Sequence, residues 1–131
     1  MKRETPKMGL LLQAAIGLPA LAFISLGLSW WFAPDFAGSL LRMELLERAG
    51  LTTQLADLAS FFLTLGCCML IGLFTRSPVW FLPAILLLSF AILGRLIAWL
   101  FHGADLTLDM IFVEVVVISL LLFVCRSVNR A

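Results

Sequence analysis

Polar side chains fall into a few short clusters along the chain, and the stretches between them are nearly unbroken apolar runs. The runs are Met8–Phe32, Leu55–Phe74, Val79–Phe101 and Leu106–Val124. None alternates with the period of two that a half-buried strand needs. Each is close to the ~20 residues that a helix rising ~1.5 Å per residue takes to cross the hydrocarbon core of a bilayer. No water reaches backbone N–H and C=O groups in that core, so runs of this kind are expected to be helical. The pattern predicts an all-α fold, an integral membrane four-helix bundle. It forms a single domain over residues 1–131, with helices at about 8–32, 55–74, 79–101 and 106–124.

The connections sharpen this picture. Thr75-Arg76-Ser77-Pro78 reads as a tight turn with Pro78 opening the third helix. His102-Gly103-Ala104-Asp105 reads as another, with Gly103 ending that helix. Turns this short make the second, third and fourth helices antiparallel neighbours. The first connection, Ala33–Gln54, is longer, and its middle, DFAGSLLRMELLERAG, predicts a short amphipathic helix. Pro34 and Asp35 would start it and Gly50 would stop it. Such a helix serves either as an interfacial anchor or as a cap over a pocket, and anchoring is the commoner use.

Basic residues set the expected orientation. Lys2, Arg3, Lys7, Arg76, Arg126 and Arg130 fall on one side of the four runs, against Arg42 and Arg48 on the other. The excess predicts that both termini are cytoplasmic. Trp30, Trp31 and Trp99 then lie near the outer interface and Trp80 near the inner one, as an aromatic belt. The opening MKRETPK suits the basic start of a signal peptide. However, the apolar run behind it exceeds the ~7–15 residues of a signal core, and Trp30-Trp31-Phe32-Ala33-Pro34 offers no small-residue cleavage site. The first run is therefore expected to be retained as a helix.

Composition agrees with this reading. Of the 131 residues 63% are hydrophobic and 13% charged, with a mean hydropathy of +1.11, well away from the balance of a soluble domain. A net charge of +1, with no basic cluster interleaved with aromatics and no Gly-rich phosphate loop, predicts no nucleic-acid partner. Cys67, Cys68 and Cys125 form no C-x-x-C pair and read as small hydrophobes. His102, Asp105 and Asp109 are spaced H-x-x-D-x-x-x-D, which matches no metal-ligand pattern, so neither a metal nor a cofactor is expected.

The charges that fall inside apolar runs carry the candidate chemistry. Arg95 lies about 10 Å below the outer end of the third helix, and Glu114 about 12 Å into the fourth from the same side. A lone charge in hydrocarbon costs about 2.5–3.5 kcal/mol even on the gentler insertion scale. The two residues are therefore expected to form an ion pair directed into the bundle. Other polar residues gather at the same end. Asp57, Ser60, Thr64 and Cys68 follow at helical spacing, as do Arg95, Trp99 and His102, while Asp109 begins the last helix. Asp105 and Asp109 suit helix capping, and the ion pair suits a role in fixing helix register. Gly9, Gly17, Gly27, Gly66, Gly72 and Gly94 read as points of close helix approach, and Pro19 as a kink.

Several stretches resemble a known family: the first helix ending in aromatics and proline, QLADLASFFLTLG, Gly94-Arg95-Leu96, the His102-Gly103 turn and Glu114. Together they are similar to the DUF4345 family, small four-helix bacterial membrane proteins without an assigned activity and DoxX-like in layout. Leu58 stands where that family often has an arginine after the aspartate. The resemblance, over about residues 10–125, implies a multi-pass protein of the bacterial inner membrane and implies no reaction.

Two functional readings follow. In the favoured one the protein is non-catalytic. Arg95, Glu114, Asp57, His102, Asp109 and Trp99 would then bind a membrane lipid or lipophilic ligand, or pack against a membrane-protein partner or a second copy. In the alternative it is an isomerase-like membrane enzyme. Glu114 and Asp57 would shuttle protons, and Arg95 or His102 would polarise a lipophilic substrate.

Overall fold

The computed structural model describes residues 9–129, all helix and connection. Met8, Lys2, Arg3, Lys7 and Arg130, which entered the expectations above, lie outside the described residues. Five α-helices follow in chain order: α1 Leu10–Phe32, α2 Pro34–Leu41, α3 Arg48–Thr75, α4 Phe81–His102 and α5 Leu108–Asn129. A 3-10 turn, Pro78–Trp80, leads directly into α4. The four long helices are all long and apolar enough to cross a membrane. They run antiparallel in sequence, so Gly9 and Asn129 fall at one end of the bundle and α2 at the other.

The α1–α3 interface is the most extensive in the molecule, and glycines make it so. A Cβ at Gly66 would lie 2.5 Å from Ile24 Cγ1 and 2.6 Å from the Ala20 carbonyl oxygen, and one at Gly27 would lie 2.7 Å from Leu63 Cγ. Gly72 gives the same room to the Phe81 ring. The expected close approach therefore holds at Gly27, Gly66 and Gly72. It fails at Gly9 and Gly94, where a Cβ would meet nothing within 4 Å, and Gly17 makes only ordinary contact. Apolar runs are apolar on every side, so sequence alone does not say which glycine meets a neighbour.

Several boundaries differ from the sequence expectation: α5 starts at Leu108 and runs past Val124 to Asn129, and the first connection departs at two points. The short helix ends at Leu41, because Arg42 adopts the left-handed conformation with φ 56°. The Met43 N–H bonds back to the Gly38 carbonyl and the Arg42 N–H to Ser39, the crossed pair of a Schellman stop. Glycine or asparagine usually marks that position, and an arginine there hides the signal. Gly50, expected as the stop, instead lies in the opening turns of α3, close against Leu46. That helix begins at Arg48 rather than Leu55. Its polar opening is accommodated because the Thr52 and Thr53 hydroxyls donate to the carbonyls of Arg48 and Ala49.

The core comes in two unequal parts. Nearer the Ser77 end, Ile16, Leu65, Met69, Phe81, Leu88, Val117 and Leu121 interlock from all four long helices. At the α2 end, the buried cluster is Trp30, Ala37 and Ala59, packed by leucines and Phe62 from α1, α3 and the α2 region. Neither α4 nor α5 contributes to it. The two pairs, α1–α3 and α4–α5, are thus closed together at one end and left unfilled between them at the other.

Candidate functional site

The unfilled space is a cleft of about 770 Å³ at the α2 end, lined by every α-helix. Its walls are mostly apolar: Phe23 and Leu26 from α1, Leu58, Phe61 and Phe62 from α3, Leu88, Ala91 and Ala98 from α4, and Met110 and Val113 from α5. Leu40, Leu41 and Met43 cover it from the α2 side. Gly94 lines it too, and its missing side chain leaves room there.

Three charged residues interrupt this lining: Arg95, Asp109 and Glu114. Arg95 Nε donates to Glu114 Oε1 at 3.0 Å, the pair expected from depth in the two helices. Gly103 in the left-handed conformation, φ 67°, ends α4, and the N–H groups of Gly103 and Ala104 both return to the Ala98 carbonyl. That turn folds α5 back beside α4 and puts Thr107 within reach, so Arg95 Nη1 also donates to Thr107 Oγ1 at 3.1 Å. The arginine side chain is 30% exposed and that of the glutamate 11%. Glu114 Oε2 is buried with no hydrogen-bond partner, a costly state for a carboxylate oxygen.

Asp109 lies in the first turn of α5, as a helix-start residue is expected to, and is also half of a second ion pair, with Arg42 of the α2 stop. Both of these side chains are well exposed. The pair joins the α2 segment to α5 across the mouth of the cleft. The left-handed turn at Arg42 directs it there, and composition gave no hint of it. Gln54, only 6% exposed, fixes the other half of the loop. Its Oε1 accepts from the Leu46 N–H at 2.9 Å and its Nε2 donates to the Glu44 carbonyl at 3.1 Å.

The remaining sequence candidates stand apart. Asp57 is exposed and does not line the cleft, and neither do Ser60 and Thr64 on the same face. The inward face of α3 is one step round the helix, at Leu58, Phe61 and Phe62. Trp99 and His102 are exposed beyond the lining, which ends on α4 at Ala98. The proton-shuttling arrangement of Glu114 with Asp57 is therefore not assembled, and His102 has no place in it. Among the described residues no three His, Cys, Asp or Glu side chains converge as metal ligands would. Cys67, Cys68 and Cys125 are free. Three participants were not legible beforehand: Arg42, Thr107 and Gln54 are ordinary loop and helix-end residues until the turns bring them together.

No family model matches the sequence, and neither a curated protein nor a solved structure resembles it significantly. The DUF4345 resemblance rests on the short stretches quoted above.

Proposed function

We propose that the chain is a multi-pass membrane protein of the bacterial inner membrane, with both termini cytoplasmic, whose cleft takes up a lipophilic molecule without catalysing a reaction on it. Membrane placement is supported by the outward surface of the long helices. Leu11 is 86% exposed, Phe90 66% and Phe112 68%, and at most 33% of any candidate span is buried within the molecule. A helix apolar all round with so little protein against it suits lipid as its solvent. Two charges in such surroundings are tolerable when paired and turned inward, as Arg95 and Glu114 are.

The observation that carries the binding reading is the cleft itself. A volume of about 770 Å³ lies in the range of small-molecule sites, and an apolar wall with a few convergent polar groups is their usual chemistry. Native mass spectrometry of protein extracted in mild detergent tests it. Wild type should carry one retained lipophile per chain. Gly94→Leu, which fills the space beside Arg95 without meeting a neighbour at Cβ, should lose it. Wild type without any adduct, or equal retention by the variant, would remove the reading.

A further inference from the structure

Resting on the lipophile-binding reading, we infer that the occupant of the cleft is an uncharged lipophile with a hydroxyl head, held by Arg95 and Glu114 through one accepted and one donated hydrogen bond.

The head group follows from what the site leaves open. Arg95 spends Nε on Glu114 and Nη1 on Thr107, and Nη2 has no hydrogen-bond partner among the described residues. Glu114 spends Oε1 on Arg95, and Oε2 has none. The two N–H groups of Nη2 and the oxygen Oε2, on adjoining side chains that both line the cleft, are thus left without a partner among the described residues. Oε2 is enclosed, so a ligand would reach it by a turn of the glutamate's soft terminal torsion, which shifts Oε1 as well. A hydroxyl answers both groups: its oxygen accepts from Nη2 and its proton goes to the carboxylate.

Charge balance excludes ionic heads. Arg95 is matched by Glu114 and Arg42 by Asp109, so the charged residues around the cleft sum to zero. An anionic head would face the Asp109 and Glu114 carboxylates, and a cationic head the Arg95 guanidinium in the wall with Arg42 at the mouth, each carboxylate being already paired. Burying an unmatched charge in an apolar wall is unfavourable. The body of the ligand is set by the rest of the lining, leucines and phenylalanines from α1, α2 and α3, which suit an alkyl chain or fused rings.

The test compares four amphiphiles of one chain length on the protein in phosphatidylcholine nanodiscs: hexadecan-1-ol, methyl hexadecyl ether, hexadecanoate and hexadecyltrimethylammonium. Titration calorimetry should rank the alcohol about tenfold above the ether, the loss expected for one hydrogen bond to a charged group. Both ions should bind more weakly than the alcohol. Glu114→Gln keeps an oxygen for Arg95 Nε while adding one net positive charge, and hexadecanoate should then overtake the alcohol. Gly94→Leu should abolish binding of all four.

The alternatives separate cleanly. If all four bind wild type equally and Gly94→Leu still abolishes binding, the cleft takes lipophiles but the hydroxyl assignment fails. If an ion binds wild type best, the charge-balance argument fails. If none binds, the lipophile-binding reading falls with it. If Gly94→Leu instead converts a dimer to a monomer, the cleft is occupied by a second copy and the inference is overturned.

Discussion

At the level of single residues, the Arg95–Glu114 pair raises the question of whether it stabilises the bundle or only avoids a penalty. Both side chains give up solvent, and their mutual attraction largely offsets that loss. Removing one partner strands the other. Arg95→Leu would leave Glu114, 8% exposed, without its cation, and Thr107 without its donor. The expected destabilisation is about 3 kcal/mol, the lower end for a broken buried pair because the arginine is partly exposed. The double variant Arg95→Leu with Glu114→Leu should recover to within about 1 kcal/mol of wild type, since a well-packed apolar pair replaces the ionic one at little net cost. Thermal unfolding in detergent, followed by tryptophan fluorescence, checks both values. A double variant as unstable as the single one would mean that the pair contributes net stability. This pair was legible in the sequence because a charge inside an apolar run stands out and helical rise fixes its depth. Asp57 was misplaced because periodicity gives a residue its helical face but not the direction in which that face points.

At the level of elements, the α2–α3 connection shows how a polar residue extends a helix beyond its apolar run. The sequence placed the start of α3 at Leu55, where unbroken hydrophobicity begins. The helix starts at Arg48 because Gln54 supplies the hydrogen bonds that the extended stretch before it lacks. Which partners a glutamine will find depends on the loop beside it, and that loop takes its course from the left-handed turn at Arg42. Neither fact is a local property of the sequence. Gln54→Ala would leave the Leu46 N–H and the Glu44 carbonyl without their partner, a loss of about 1–3 kcal/mol that falls on the loop. Amide hydrogen exchange should show Leu46 losing protection in that variant while the centre of α3, around Leu65 and Met69, keeps it. Uniform loss along α3 would show that Gln54 supports the whole helix rather than its first turns.

For the whole molecule, the separation into a filled end and an open end gives the proposed orientation its consequence. Arg76, in the turn between α3 and α4, lies at the filled end, and His102, Arg42 and Arg48 lie at the cleft end. If the basic residues at the filled end face the cytoplasm, the cleft opens toward the outer half of the bilayer, and its ligand is drawn from the outer leaflet. Cysteine labelling decides the orientation. In a background with Cys67, Cys68 and Cys125 replaced by alanine, His102→Cys should react with a membrane-impermeant maleimide on intact cells. Arg76→Cys should react only after the membrane is opened. Both positions are exposed and belong to connections or helix ends, so neither change disturbs the core. The reverse pattern would turn the molecule over and put the cleft in the inner leaflet, and the cytoplasmic lipid pool would then be its source.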